Sequence, residues 1–198
     1  MSVSRPDSIV DTLWLARPAT EVAPDLVGCT LVRSLADGCC LRSQIVETEA
    51  YTPTDPACHG YRGQTRRNAA MFGRAGLSYV YLIYGLYHCF NVVTDCPGLA
   101  SAVLIRAVQL SHLPPWASPK DHQAPHRAAA GPGKLCRLLK IDQQFNGAVL
   151  APETGLWLEH RPTTLSQPLV QTTRIGLSQA TDLPWRWYLA NSPAVSKP

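Results

Sequence analysis

The chain has 198 residues and a mass of 21.6 kDa, which suits one sizeable hydrophobic core and is short for two. Hydrophobic residues make up 45% of the chain and charged residues 16%, so the composition excludes a disordered protein. The net charge is +4, and every basic residue except four lysines is an arginine. Arg guanidinium groups match phosphate oxygens and stack on bases, which favours a nucleic-acid surface. A GC-rich genome would produce the same arginine bias.

Seven cysteines form an odd set without the paired spacing of a disulfide framework. With no signal peptide, they predict reduced thiols in an intracellular protein. No Cys-x-x-Cys motif and no zinc deaminase pattern occur, and no apolar run approaches the roughly 18 residues of a membrane span. We therefore expect no metal, no cofactor and no contact with a membrane.

The first half of the chain predicts a helix and a β-hairpin. Residues 1–10 are expected to be flexible, and a helix is predicted from residue 11 or 18 to about residue 27, before Gly28. Two strands, at residues 29–34 and 39–49, flank the hairpin dipeptide Asp37-Gly38. The irregular stretch at residues 52–74 is too long for an idle connection, so we expect it to be functional.

The second half predicts a hairpin, one helix and several further strands. The hairpin covers residues 79–93, a strand holding Arg106 follows at 101–110, and the Pro-rich segment 112–130 is expected to be a surface insertion. A glycine turn opens a short helix at 135–139. Further strands are predicted near residue 149 and at 156–159, 173–177 and 187–189. This order favours a single α+β domain over residues 1–198, a mostly antiparallel curved sheet flanked by short helices.

The predicted hairpin concentrates aromatic residues around one glycine. Four tyrosines fall between Tyr79 and Tyr87, and Tyr84 precedes Gly85 at the expected tip. A tyrosine there is of no use to a packed core but could stack in a nucleic acid. A connection of odd length would place Tyr81 and Asn91 on the same face, whereas a two-residue turn would not.

A carboxylate pair marks the end of the second predicted strand. Glu47 and Glu49 share one face because strand side chains alternate. A partly desolvated carboxylate at a strand end can act as a general base. Taken alone, the segment is better explained by the polar face of an edge strand.

Aromatic rings alternate with cations in this region. Tyr51, His59, Tyr81 and Tyr84 supply rings from two segments, with arginines around them. Such a mixture suits an unstacked base, at about 1 to 3 kcal/mol per stacked base. Each ring taken singly is better explained as core or rim.

Six motifs in order carry a resemblance to the alkyladenine (3-methyladenine) DNA glycosylase family. The chain is similar to that family from about residue 15 to residue 195. The motifs are Val-Glu-Thr-Glu-Ala-Tyr51, His59 with Gly-Gln-Thr-Arg-Arg-Asn68 and Met-Phe72, the hairpin through Asn91, Leu-Ile-Arg106-Ala, Gly-Pro-Gly-Lys-Leu-Cys136, and Arg-Ile-Gly176 with Pro-Trp-Arg-Trp-Tyr188.

The resemblance implies monofunctional hydrolysis of the N-glycosidic bond of a flipped, damaged purine in double-stranded DNA. It assigns Glu49 as the general base and Arg106 as a catalytic residue that orients the nucleotide and its water. The residues it assigns to the base pocket are Tyr51, His59, Tyr81 and Asn91, with Asn91 crowding the exocyclic amine of guanine. It makes the hairpin protrude and intercalate through Tyr84.

Several expectations go with this hypothesis. DNA backbone contacts are expected from four cations: Arg62, Arg66, Arg67 and Lys134. The protein is expected to be a monomer, in the cytoplasm or nucleoid of a bacterium or the nucleus of a eukaryote. Two alternatives stay open: a bifunctional glycosylase-lyase with Lys134 as the amine nucleophile, and a damaged-DNA-binding module without turnover.

Overall fold

The architecture is organised around one long strand, Cys40–Tyr51. The computed structural model describes residues 8–162, 164–165 and 167–197. Strand β1 (Thr30–Ser34) and strand β2 (Cys40–Tyr51) form the predicted hairpin. Its turn is closed by Asp37, whose carboxylate accepts the backbone N–H of Cys39 at 2.9 Å, and by Gly38 at φ 82°. Such a turn needs a residue that tolerates positive φ, which Gly supplies.

The sheet is antiparallel throughout, as the sequence predicts. The remaining strands are β3 (Ser78–Ile83), β4 (Tyr87–Val93), β5 (Ala102–Leu110), β6 (Leu156–Glu159), β7 (Leu169–Thr172) and β8 (Arg186–Leu189). Their order in the sheet is β3-β4-β5-β2-β1-β6. Strand β8 pairs with β7 on one side and with the second half of β2 on the other. Strand β2 thus changes neighbour along its length, next to a register irregularity around Glu47. Bulges bend strands and increase twist, consistent with the curled sheet observed here.

In the part of the chain that the structure describes, there are four short α-helices: α1 (Thr12–Leu15), α2 (Ala19–Leu26), α3 (Pro119–Gln123) and α4 (Pro132–Leu139). Helix α2 packs against β2 and β5, and helix α4 against β4 and β5. Both present apolar residues at helical spacing to the core, as Val22 and Leu26 do in α2. The α+β class predicted from the sequence is confirmed. No helix of the described residues is long and apolar enough to cross a membrane.

The 52–74 stretch is irregular, as predicted, apart from a 3₁₀ helix at Ala69–Phe72. Its fold depends on Asn68, which is buried. The Asn68 amide donates to the carbonyls of His59 at 2.8 Å and Gly63 at 3.1 Å, and its oxygen accepts the N–H of Thr65 at 2.6 Å. One side chain thus fixes the backbone that carries His59.

The strand predicted at 173–177 is wrong. The strand β7 ends at Thr172, and residues 173–177 form no strand. Arg174 is buried there, and the N–H of Ile175 bonds to a side chain and not to a neighbouring strand. The strand predicted near residue 149 is reduced to an isolated bridge between Leu77 and Val149.

The segment 112–130 is more than a surface insertion. Ala128, Ala129 and Ala130 are buried, and the Trp116 indole donates to the carbonyl of Leu138 at 3.0 Å. The prediction is therefore corrected, since one end of the segment belongs to the core. Of the residues 1–10 expected to be flexible, 1–7 lie outside the described residues, whereas Ile9 forms a bridge with Glu159.

Candidate active site

Glu49 lies on β2 with a fully buried carboxylate. Its Oε1 accepts the backbone N–H of Ile175 at 2.8 Å and lies 3.2 Å from the Arg106 guanidinium, while its Oε2 accepts the Tyr51 hydroxyl at 2.8 Å. Burial, and then the Glu49 charge, raise the pKa of Tyr51 far above its ordinary value, so that hydroxyl stays a donor. The Ile175 N–H and the Tyr51 hydroxyl thus fix one carboxylate oxygen each, and Arg106 supplies the opposite charge.

Arg106 on β5 is buried and holds both carboxylates predicted to share a face. Its Nε donates to Glu47 Oε1 at 3.1 Å, and another nitrogen approaches Glu49. Burial alone would lower the pKa of Arg106, but Glu49 and Glu47 raise it. The shared face of Glu47 and Glu49 is thereby confirmed, and the guanidinium is a permanent cation beside Glu49.

Aromatic rings form a pocket next to this ion pair. A cavity of about 70 Å³ is lined by Tyr51, Ala57, His59, Met71, Tyr79, Tyr81, Asn91 and Leu177. The structure therefore brings together all four residues that the sequence assigns to a base pocket. The rings of His59 and Tyr81 meet edge to face with centroids 4.5 Å apart. A flat aromatic ligand fits such a lining better than a flexible polar one.

The hairpin register explains why Tyr81 and Asn91 both reach the pocket. Ile83 pairs with Tyr87 across the three-residue connection Tyr84–Gly85–Leu86, and Tyr79 pairs with Asn91. This is the odd length that puts Tyr81 and Asn91 on the same face. Asn91 is fixed there, because its amide donates to the carbonyl of Tyr79 at 2.9 Å.

His59 is held as a neutral ring. Its Nδ1 lies 2.9 Å from the Tyr79 hydroxyl, and burial raises the pKa of Tyr79 to about 12. Burial, and secondarily the charge of Arg67, lower the pKa of His59 below its ordinary value. A neutral imidazole offers one hydrogen-bond donor and one acceptor.

Two large side chains, Tyr84 and Leu86, project from the hairpin tip, and we call them the wedge. Tyr84 is 84% exposed and Leu86 75%. Tyr84 and Gly85 both have positive φ, 53° and 70°, and the Leu86 N–H bonds to the Ile83 carbonyl, a pattern typical of a type I′ turn. A bulky side chain at positive φ is uncommon and strained.

A groove of about 440 Å³ runs from the wedge toward the ion pair. Its lining includes Tyr84, Tyr87, Arg106, Lys134, Ile175 and Gly176. Lys134 lies in the first turn of α4, where a Cβ at Gly133 would approach the Tyr87 ring to 3.0 Å. Glycine at 133 thus lets this turn close against the hairpin.

The three arginines predicted to contact DNA are exposed, but they differ in surroundings. Arg62 lines a second cavity together with His59 and Gln179. Arg67 donates to the carbonyl of Leu82 at 3.0 Å and lines a cavity with His59 and Tyr79. Arg66 is exposed beside them. All three therefore lie on the loop that carries the pocket.

Sequence reasoning gave no role to the residues behind Tyr51. The Arg174 guanidinium pairs with the buried carboxylate of Asp55 and stacks over the rings of Tyr51 and Trp185, 4.7 and 5.3 Å from their centroids. It also donates to the Ala50 carbonyl at 3.0 Å. The motif at 174–176 contained this residue and Ile175, but nothing local showed that their partners lie more than 100 residues earlier.

No group of three or more His, Cys, Asp or Glu side chains in the described part of the chain is arranged to hold a metal ion. The site instead combines a buried carboxylate, a fixed cation and an aromatic pocket beside a groove with an exposed wedge. These are the elements of a hydrolytic enzyme that acts on a flat, ring-bearing substrate.

Comparison with known proteins shows the family to which this chain is similar. The methylpurine-DNA glycosylase family model matches residues 13–193. A relative from Trichodesmium erythraeum is 56% identical over 198 residues, covering 96% of this chain and 98% of its own length. One from Synechococcus sp. (strain JA-3-3Ab) is 57% identical over 188 residues, covering 92% and 96%. Both bear the name "Putative 3-methyladenine DNA glycosylase".

The chain therefore belongs to the methylpurine-DNA glycosylase family. It is a DNA repair enzyme that hydrolyses N-glycosyl bonds in DNA. The family resemblance seen in the sequence is confirmed.

Proposed function

We propose that this enzyme flips alkylated or deaminated purines out of duplex DNA and hydrolyses the N-glycosidic bond with a water activated by Glu49, leaving an abasic site. The observation that carries the proposal is the Glu49–Arg106 ion pair of 3.2 Å beside an aromatic pocket. The aromatic pocket holds the flipped base, and the ion pair carries out the hydrolysis.

Base flipping accounts for the exposed hairpin. A base inside a stacked duplex cannot reach a buried carboxylate, so the nucleotide must be extruded at a cost of a few kcal/mol. Tyr84 offsets part of that cost by stacking in the vacated space. The groove from Tyr84 to Arg106 then holds the sugar and phosphate of the flipped nucleotide, and Lys134 at its edge contacts a phosphate. Arg62, Arg66 and Arg67 contact the DNA backbone on the other side of the pocket.

The carboxylate has two roles in the reaction. Cleavage of the bond between sugar and base builds positive charge on the sugar, by analogy with glycoside hydrolysis. The Glu49 anion stabilises that charge and accepts a proton from the attacking water. Because Glu49 is fully buried, the water enters with the nucleotide, as the groove opens beside Ile175.

The pocket distinguishes two kinds of lesion. An N-alkylated purine already carries positive charge and leaves without protonation, and electron-rich rings such as Tyr81 attract it. Neutral hypoxanthine needs a hydrogen bond or a proton at N7. The neutral His59 ring offers a hydrogen bond there and is not a strong acid.

A lyase activity is the second candidate, favoured only by the position of Lys134 in the groove. Its Schiff base would be trapped by borohydride as a stable covalent adduct with damaged DNA. We expect no adduct, and one that disappears in Lys134→Ala would overturn the monofunctional mechanism.

The decisive experiment uses a panel of duplexes, each with one 3-methyladenine, 7-methylguanine, hypoxanthine or ethenoadenine. Alkali should cut the strand at the lesion after incubation with the enzyme. Binding to every duplex without cutting would instead indicate a damage-binding module. We expect the enzyme to act on genomic DNA in the cell, as a monomer.

A further inference from the structure

A second buried carboxylate lies behind the ion pair. Glu47 has no exposed surface, and four donors bind its oxygens. They are Arg106 Nε at 3.1 Å, an Arg186 nitrogen at 2.8 Å, and the N–H and hydroxyl of Ser196 at 2.7 and 2.9 Å. Two carboxylates, Glu47 and Glu49, thus face two guanidinium groups, those of Arg106 and Arg186.

Ser196 belongs to a segment near the chain end and touches both members of the Glu47–Arg106 pair. Its hydroxyl donates to Glu47 and lies 3.5 Å from an Arg106 nitrogen that can donate to it. One half-buried serine therefore fixes the orientation of Arg106 from the side opposite Glu49.

The segment around Ser196 is itself held by two arginines. Arg127 donates to the carbonyls of Pro193 and Ser196, at 3.3 and 3.0 Å, and Arg186 donates to that of Lys197 at 2.6 Å. Arg127 lies in the segment 112–130, to which the sequence gives no role. We call residues 193–197, together with Arg127, the C-terminal clasp.

The contact between Ser196 and Arg106 affects the orientation of the Arg106 guanidinium. A guanidinium has a rigid, planar set of donors, so the bonds on one side determine where its other nitrogens point. Arg106 uses one side for Glu47 and Ser196 and the other for Glu49. A misplacement of about 1 Å at a reacting group can lower a rate by about a hundredfold.

We propose that Ser196 and the C-terminal clasp position Arg106, through Glu47, for the hydrolytic step. The inference rests on the proposed mechanism and adds to it a part of the chain more than 140 residues from Glu49. Ser196 is a positioning residue, because it touches Glu47 and Arg106 and not the substrate pocket.

The test compares single-turnover cleavage of a hypoxanthine duplex with affinity for the same duplex. Ser196→Ala should lower the cleavage rate constant about tenfold and leave Kd nearly unchanged. Ser196→Thr, which keeps the hydroxyl, should restore the rate. The matched control is Ser192→Ala, since the Ser192 hydroxyl accepts only the Ala194 N–H at 3.3 Å among the contacts of the described residues.

A second background separates positioning from general stability. In Arg106→Met, the further change Ser196→Ala should have no effect on the rate, because the group it positions is gone. An unchanged rate in Ser196→Ala, or an equal loss in both backgrounds, would overturn the inference. Wild-type enzyme that cuts no lesion would overturn the proposed function and this inference together, whereas active wild type with an insensitive Ser196 would overturn this inference alone.

Discussion

The most direct perturbation of the candidate site is Glu49→Gln, which removes the negative charge and keeps the shape. Gln can keep its oxygen toward the Ile175 N–H and Arg106, with its NH₂ group facing the Tyr51 hydroxyl, which can accept a hydrogen bond. The pocket should therefore remain assembled. We expect affinity for a lesion duplex to change little, while the chemical step is largely lost.

The magnitude follows from two contributions. At about 5 Å from the sugar and an effective dielectric of about 20, one charge is worth about 3 kcal/mol, or roughly a hundredfold in rate. A positioned general base contributes about 10² to 10⁴. Because one carboxylate serves both purposes, the contributions are not simply additive. We expect the single-turnover rate to fall by at least about 10³-fold.

The assay is single-turnover cleavage of a duplex with one lesion, with Kd measured separately by fluorescence anisotropy. Glu153→Gln is the matched control, because Glu153 is exposed on a short 3₁₀ helix and undergoes the same chemical change. Cleavage by Glu49→Gln within tenfold of the wild-type rate would refute the role of Glu49. A loss of binding that accounts for the lower rate would refute the argument as well.

Three further predictions concern the wedge, the pocket and pH. Tyr84→Asn is chosen because Asn tolerates positive φ, so the Tm should not change. The variant should lower the cleavage rate of a paired lesion about 10- to 100-fold in duplex DNA but not in single-stranded DNA. An equal loss on both substrates would contradict the wedge. Asn91→Ser should raise cleavage of guanine lesions relative to hypoxanthine about tenfold or more, measured on the lesion panel; an unchanged ratio would contradict steric exclusion. Folding lowers the pKa of His59 below its unfolded value of about 6.5. The contribution of His59 to the free energy of unfolding is therefore fully present above that pH and decreases as the pH falls below it. His59→Gln should therefore show a shallower loss of Tm between pH 7 and 5 than wild type, and an equal slope would contradict a lowered pKa of His59.

Local sequence patterns predicted much of the fold, and the family resemblance supplied most of the candidate site. The alternation of strand residues placed Glu47 and Glu49 on one face, and Arg106 binding both confirms it. A glycine after Tyr84 marked the hairpin tip, whereas the three-residue connection, and with it the register, came from the structure. The shared face and the hairpin tip depend on side-chain parity and backbone conformation over a few residues, which a sequence contains directly.

The segment at 173–177 shows where local reasoning fails. Its β-branched residues are typical of a strand, but Arg174 has a buried partner in Asp55, and the Ile175 N–H has one in Glu49. A buried ion pair and a buried carboxylate each need donors, and meeting that need overrides a weak preference for the strand. Because the partners lie more than 100 residues away, no local pattern predicts the outcome.

By itself, the sequence determined the antiparallel sheet, the wedge and the identity of the catalytic carboxylate and pocket rings that we propose. Only the tertiary structure decided how that carboxylate is held. The Ile175 N–H and Arg106 meet Oε1, Tyr51 meets Oε2, and Glu47 and Ser196 contact Arg106 from behind. The reason is physical. Alternation and turn conformation are local, whereas the donors that satisfy a buried charge come from whichever segments the completed fold brings within about 3 Å.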